Sequence, residues 1–293
     1  MTTIAEPICR AAQLYRTPQL LQDIRLLDLL ELSGTTVEAA ELLNLSQPTV
    51  SRRYRKLAHD FGLERQPRRF QRCRYGSSEA IRLLRLGCRA HRLAAGVARI
   101  GADLMHQPLL DGLHGLLPTP VRFRPLEAWA ELVREGVLDG ALVSDLELQA
   151  ARMPDLTGLQ PVELGVLPLG LGVWSGCTAA SPGMPMVLVP HRGQAPGLQS
   201  ALQAQGLRLK RVGPVGTSLM DQWRRYAHTS GALPLYPPLH GEENRWDGVQ
   251  LHRLPSERMV RLLMLMPGGH GQQEALQPML NALRWHRAFR SPG

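Results

Sequence analysis

Side chains that can hydrogen-bond to base edges or phosphates are concentrated between Ser46 and Lys56. Ser46 is a natural N-cap for a helix, and Pro48 is tolerated in the first turn because the first N–H groups lack partners within the helix. Arg can pair bidentately with guanine, Gln with adenine, and Ser or Thr with several base edges. The candidate DNA-binding residues of this helix are Ser46, Gln47, Pro48, Thr49, Ser51, Arg52, Arg53, Arg55 and Lys56.

A second face of the same helix is apolar. Its members follow one another at helical spacing, and they are Val50, Tyr54, Leu57 and Phe61. This face is expected to pack against two earlier helices. The first is predicted from about Gln19 to Leu32 and ends at Gly34, which suits a left-handed helix stop. Thr35 and Glu38 have the spacing of a capping box, which predicts the start of the second helix.

Positive charge is concentrated in the same region. The 293-residue chain carries a formal net charge of +9. Between residues 50 and 75 there are nine Lys and Arg against two Asp and Glu, so this window alone carries +7. Phosphate neutralisation is a local effect, so this clustering favours a nucleic-acid partner. A solvated charged face and a membrane-surface patch are the alternatives, but the apolar face of this helix is already committed to a core.

A dense motif runs through this region and resembles a known family. It consists of Ala39-Ala40, Leu43 and the run Ser46-Gln47-Pro48-Thr49-Val50-Ser51-Arg52. This pattern resembles the helix-turn-helix of LysR-type transcriptional regulators. The resemblance implies an α/β chain with an N-terminal winged helix-turn-helix, a linker helix and a two-lobed effector domain like periplasmic binding proteins. It also implies double-stranded promoter DNA as partner, a homodimer or tetramer, a small-molecule effector and contact with RNA polymerase.

The expected domain boundaries follow from these features. Residues 1–18 form an N-terminal extension, 19–76 the DNA-binding domain, 77–95 the linker helix and 96–293 the effector domain. Within the first domain, the basic segment 67–76 is predicted to form a wing of two short strands. Its candidate DNA-binding residues are Arg68, Arg69 and Arg72, placed along a phosphate backbone or in a minor groove.

The linker segment carries a heptad-like seam. Ile81, Leu84, Cys88 and His91 follow at intervals of 3, 4 and 3. Four arginines repeat this spacing one residue later, at Arg82, Arg85, Arg89 and Arg92, and form an adjacent basic stripe. The spacing alone leaves two interpretations open, pairing with a second copy or packing on the same chain. The family resemblance favours dimerisation through the seam.

Strand-like and helix-like segments alternate after residue 96. Strands are predicted at 97–104, 121–123, 140–143, 162–174, 186–189, 207–212, 233–236, 249–254 and 260–266. Helices are predicted at 108–117, 126–134, 195–205, 218–229 and 272–289. Such alternation predicts mainly parallel sheets with helices on both faces. The long apolar run 162–174, broken at Pro168, is expected to cross between two lobes.

Ligands in open α/β folds sit at the carboxyl ends of strands. Polar residues expected there are Asp103, after the first effector-domain strand, and Thr217 and Ser218 before a helix; these are the candidate effector-binding residues. They would suit a metabolite with both an amino and a carboxylate group. Each also has a purely structural interpretation, in a capped loop or turn.

An enzyme is disfavoured by the motifs. His-Glu-x-x-His, Gly-x-Ser-x-Gly and phosphate-binding Gly-x-x-x-x-Gly-Lys patterns do not occur in the sequence. The four cysteines are scattered, so neither a metal site nor a disulfide framework is predicted, and no cofactor is expected.

No apolar run reaches bilayer length and no signal-peptide pattern opens the chain, so a cytoplasmic location is expected. Two alternatives to an effector-controlled regulator remain: a regulator whose sensor serves only assembly, and an α/β enzyme with an accessory DNA-binding head.

Overall fold

A computed structural model describes residues 15–65, 74–151, 154–174, 186–191, 193–212, 231–240 and 249–289. The predicted helix at 218–229 and most of the predicted wing lie outside these residues. Within the described part of the chain, no helix is both long enough and apolar enough to cross a membrane.

The N-terminal head consists of three helices in the predicted order. After a short 3-10 turn, α1 spans Gln22–Ser33, α2 spans Thr36–Leu43 and α3 spans Gln47–Asp60. Gly34 ends α1 with a φ of 69°, in the left-handed region that glycine adopts without strain. Thr35 caps α2 by accepting a hydrogen bond from the Glu38 N–H at 3.2 Å. The predicted order of the helices and the predicted N-caps at Thr35 and Ser46 are confirmed.

The remaining elements are a mixture of helices and strands, and α7 and α9 among them were not predicted from the sequence. The helices are α4 (Glu79–Ala94), α5 (Gln107–Leu110), α6 (Leu126–Arg134), α7 (Asp145–Ala150), α8 (Pro196–Ala204), α9 (Pro237–His240) and α10 (His270–Arg284). The strands are β1 (Ile100–Gly101), β2 (Gly140–Ser144), β3 (Leu159–Pro168), β4 (Gly170–Trp174), β5 (Val187–Val189), β6 (Leu209–Arg211), β7 (Ala232–Leu235), β8 (Val249–Arg253) and β9 (Met259–Pro267).

These strands form two sheets, one for each lobe of the domain predicted to bind an effector. The first has the order β1-β2-β9-β3 and the second β6-β5-β7-β4-β8. The prediction of mainly parallel sheets is wrong, because β9 is antiparallel to β2 and β3, and β4 is antiparallel to β7 and β8. The chain passes straight from β3 to β4 at Leu169 and returns in β9, without the helical crossover that a parallel pair needs. The predicted crossing at 162–174 is confirmed.

Three predicted elements at the start of the first lobe are shortened or missing. The strand predicted at 97–104 is only β1, because Asp103 turns the chain by accepting hydrogen bonds from the N–H groups of Met105 and His106. The helix predicted at 108–117 is only α5, since Gly112 and Gly115 follow it with positive φ. Residues 121–123 have irregular backbone and form no strand.

The head packs directly against the first lobe. Leu29 and Leu32, on α1, share a buried cluster with Leu126 and Trp129, on α6. The other side of α1 carries Ile24, Leu27 and Leu30 into the core of the head. This explains why α1 is buried on both sides, although its sequence predicts one apolar stripe. The head and the first lobe therefore share apolar surface within one chain.

Candidate nucleic-acid interface

The helix α3 begins with its own cap. Ser46 has extended backbone, and its hydroxyl accepts a hydrogen bond from the Thr49 N–H at 3.4 Å. The turn before it contains Asn44, which adopts a left-handed φ of 54°. Asn tolerates this conformation better than most residues, which lets α2 and α3 follow each other closely. This helix–turn–helix places the start of α3 at the surface.

The two faces of α3 separate as predicted. Val50 and Leu57 are buried in the head core, and Tyr54 and Phe61 pack at its edge. The predicted DNA-binding residues lie on the outside: Ser46, Gln47, Pro48, Arg52, Arg55 and Lys56 are exposed, and Thr49, Ser51 and Arg53 are half-buried. The structure thus brings the candidate residues of this helix together on one surface. Arg68, Arg69 and Arg72 lie outside the described residues.

Arg53 differs from its neighbours because it has a partner in the same chain. Its guanidinium binds the carboxylate of Asp23 on α1, with Nε at 2.9 Å from Oδ1. This ion pair joins the first and third helices of the head. The orientation of the Arg53 guanidinium is therefore set by Asp23.

The end of the predicted wing is fixed to the head by a buried carboxylate. Glu31, on α1, accepts hydrogen bonds at 2.7 Å from the N–H groups of both Arg74 and Tyr75. Burial raises the pKa of Glu31 to about 7, although Arg85 and these two hydrogen bonds act in the opposite direction. The Tyr75 hydroxyl donates to the Gly34 carbonyl oxygen at 3.1 Å. The chain leaving the predicted wing is therefore anchored beside the C-terminus of α1.

The linker helix α4 packs on its own chain along the predicted seam. Ile81 and Cys88 are buried in the head core, and Leu84 is half-buried against it. His91 is exposed, and its Nδ1 lies 3.2 Å from the Tyr15 hydroxyl. Burial raises the pKa of the Cys88 thiol to about 11. Of the two interpretations of this seam, packing within one chain describes Ile81 and Cys88, which are covered and do not offer a surface to a second copy.

Three of the four arginines in the basic stripe of α4, Arg85, Arg89 and Arg92, are buried as well. Arg85 donates to Asp28 on α1 at 2.9 Å, and Arg99, at the start of the first lobe, donates to the other oxygen of Asp28 at 3.0 Å. Arg92 donates to Asp139 at 2.7 Å. Arg89 lies 3.4 Å from the same carboxylate. The buried arginines therefore connect the head, the linker helix and the first lobe through two carboxylates.

Among the predicted effector residues, Asp103 is engaged within its own turn. Its Oδ1 accepts from the Met105 N–H at 2.9 Å and lies 2.7 Å from the His106 ring nitrogen Nδ1. Thr217 and Ser218 lie outside the described residues. Within the described part of the chain, no cluster of His, Cys, Asp and Glu could hold a metal ion.

Comparison with known proteins gives similarity in fold. No family model and no curated protein matches the sequence. A full-length OxyR variant from Pseudomonas aeruginosa is 12% identical, covers 94% of this chain and 98% of its own, and has a TM-score of 0.49. CbnR, a LysR family transcriptional regulator, solved in complex with its target DNA, is 14% identical over 92% of this chain and 100% of its own, with a TM-score of 0.48.

LysG from Corynebacterium glutamicum, a full-length structure with bound effector Arg, is 15% identical. It covers 89% of this chain and 97% of its own, with a TM-score of 0.41. The chain is similar to LysR-family regulators. At identities below 20% and TM-scores below 0.5, this likeness does not decide what the chain binds.

Two groups of residues could not be predicted from the sequence. The first is the pair Asp28 and Asp139, which receive the arginines of the basic stripe; an acid inside the apolar run of α1 is the only local signal for Asp28. The second is the pair Glu31 and Glu147, which each accept two backbone N–H groups from distant segments. No local spacing indicates such contacts, because the partners are 43 to 51 residues away.

Proposed function

We propose that this chain is a sequence-specific DNA-binding transcriptional regulator of the LysR type. The observation that carries the proposal is the division of α3 into two faces. Val50 and Leu57 anchor it in the head, while Gln47, Arg52 and Arg55 are presented outward from a capped start. A helix with this arrangement can enter a major groove and read base edges with its first two turns. We place its action on promoter DNA in the cytoplasm, with RNA polymerase as a further partner.

Replacing Arg52 by Ala tests this proposal. DNA sites are first selected from a random duplex library by the wild-type chain, and the affinities of both proteins for those sites are then measured in competition with unrelated DNA. The variant should lose roughly 1–3 kcal/mol on the selected site and discriminate less at one base pair.

Arg261→Ala is the matched control, since Arg261 is an exposed arginine on β9 in the first lobe. It removes the same charge from the first lobe, outside the head, and should leave base preference intact. Unchanged site selection by Arg52→Ala would show that α3 does not read the groove.

We further propose that two copies pair through α4, on a face different from the predicted seam. Leu83 is 57% exposed, and Gly87, Ala90 and Ala94 are exposed on the same side of the helix. Their intervals of 4, 3 and 4 are those of a helix-pairing seam. The side chains are small after Leu83, which allows a second helix to approach closely. Of the residues in the predicted seam, Leu84 and His91 border this face.

Control by a small-molecule effector is the finer part of the proposal. Asp103 lies just after β1, but its carboxylate already satisfies the turn that follows this strand. This favours the alternative in which the two lobes serve assembly without a ligand. Thermal-shift measurements with amino acids and related metabolites distinguish the two: a saturable rise that Asp103→Ala abolishes supports effector control through this residue.

A further inference from the structure

The helix α8 of the second lobe begins without a cap of its own. The preceding residue, Ala195, has a methyl side chain that cannot accept a hydrogen bond, and the first turn contains Pro196, Gly197 and Leu198. The first N–H groups of a helix have no partners within it and need an acceptor from elsewhere. Here the acceptor is Glu147, whose two oxygens lie 3.2 Å from the Gly197 nitrogen and 2.9 Å from the Leu198 nitrogen.

This contact joins the two lobes. Glu147 lies on α7, directly after β2 of the first sheet, whereas α8 lies between β5 and β6 of the second. The two helices touch so closely that a Cβ at Gly197 would lie 2.1 Å from the Leu146 carbonyl oxygen. Only glycine fits there, so the sequence at the start of α8 allows the approach that brings the Glu147 carboxyl to the helix end.

The surroundings of Glu147 combine two opposing effects. Burial raises its pKa to about 7, and the negative charge of Asp103 acts in the same direction. The two N–H donors and His106 act against this shift, and the positive end of the helix dipole favours negative charge at the same point. A carboxyl group is the chemistry that two adjacent N–H donors at a helix start select.

We propose that the start of α8 is a carboxylate-binding site whose occupant is the chain's own Glu147. The glutamate acts as an internal ligand that holds the two lobes together without a small molecule. An acidic metabolite could use this site only by displacing Glu147. This joint between the lobes does not depend on DNA binding.

Chemical rescue tests the proposal with the full-length chain. Glu147→Ala removes the occupant, and the N–H groups of Gly197 and Leu198 lose the carboxylate that accepts their hydrogen bonds. Loss of a helix cap should lower the melting temperature by about 2–4 °C at pH 8. Sodium formate, titrated against sodium chloride at equal ionic strength, should raise the melting temperature of this variant saturably, because formate can enter the emptied site. The wild type should not respond differently to the two salts.

Glu257→Ala is the matched control, since it removes an exposed carboxylate between β8 and β9. A Glu147→Ala protein that melts like the wild type, or that formate raises no more than chloride, would overturn the proposal. If that variant does not fold, Glu147→Gln keeps the side-chain volume, and amide hydrogen exchange replaces melting. Exchange at residues 197–198 should be faster than in the wild type, and unchanged exchange there would also overturn it.

Discussion

At the scale of single residues, Gln47 is held in one orientation by hydrogen bonds within its own chain. Its amide nitrogen donates to the hydroxyl oxygens of Thr36, on α2, and Ser51, one turn further along α3, each at 3.0 Å. Holding a long side chain in one orientation lowers the entropy lost on binding and favours one pattern of base contacts. Under the proposed role of α3 in reading DNA, Thr36 should therefore act on base preference through Gln47 without touching a base.

We predict that Thr36→Val relaxes base preference. Val keeps the shape of Thr but cannot accept the hydrogen bond, so the Gln47 amide gains freedom. Discrimination at the base pair read by Gln47 should fall by roughly 1 kcal/mol, while affinity for unrelated DNA stays the same. A double-mutant cycle measures this, because Thr36→Val should have no further effect once Gln47 is Ala. Equal effects of Thr36→Val in both backgrounds would contradict the positioning role.

The residues of the interface that could be predicted from the sequence are those whose role depends on local spacing. Ser46 as a cap and Val50 and Leu57 as anchors follow from the helical period. The ion pair of Arg53 with Asp23, thirty residues away, could not be predicted, because no local pattern records which helix lies beside which. The role of a charged side chain therefore depends on partners that are distant in the sequence.

At the scale of elements, α4 was predicted correctly as a helix, but the partner of its apolar seam was not. The predicted bounds of 77–95 match a helix from Glu79 to Ala94, capped by Ser78. The heptad spacing of Ile81 and Cys88 is real, but these side chains enter the head core. An apolar seam predicts that a helix packs, whereas the identity of its partner depends on the whole fold.

Leu83→Glu should therefore convert a dimer to monomers, because it places a charge in the exposed apolar face of α4. The fold should be retained, since Leu83 is exposed within the chain. Light scattering at tens of micromolar protein and circular dichroism measure the two outcomes.

Leu251→Glu, at a similarly exposed leucine on β8, serves as the matched control and should leave the mass unchanged. Leu84→Glu should instead lower the melting temperature, because Leu84 borders the head core. A dimer that persists in Leu83→Glu would exclude this face of α4 as the contact between copies.

The sequence predicted the positions of individual strands but not how they pair into sheets. The strand at 140–143 and the crossing at 162–174 follow from their apolar runs, and both are present as β2 and as β3 with β4. Their pairing was predicted wrongly because alternating strands and helices do not reveal that β9 returns from the second lobe to lie between β2 and β3. Such a return depends on contacts about 100 residues apart, for example Val166 with Arg261.

At the scale of the whole molecule, buried charges hold together parts that are distant in the chain. Asp28 joins the head to α4 and to the first lobe, Glu31 holds the end of the predicted wing, and Glu147 joins the lobes. Breaking such a contact by removing one partner leaves the other buried without compensation, which is costly. Burial raises the pKa of both Glu31 and Glu147, so the protonation of these two glutamates changes the free energy of unfolding.

The free energy of unfolding should fall as the pH rises from 4.5 to 7. The pKa of Glu31 is 4.5 when unfolded and about 7 in the folded chain, because burial disfavours its charged form. Between these values the folded state keeps a proton that the unfolded state has lost, so rising pH favours unfolding. The shift corresponds to at most about 3 kcal/mol for Glu31, with Glu147 acting in the same direction.

Urea unfolding at pH 5 and pH 8 measures this dependence. Glu31→Gln cannot lose a proton, so its free energy of unfolding should fall less between the two pH values than that of the wild type. Glu257→Gln, at an exposed carboxylate, should keep the full wild-type difference. The wild type and Glu31→Gln share every titrating group except Glu31, so the difference between them isolates Glu31, and Glu257→Gln shows the effect of removing an exposed carboxyl instead. An equal pH dependence in Glu31→Gln and the wild type would mean that the carboxyl of Glu31 ionises in the folded chain as easily as in water, despite its burial beside Tyr75.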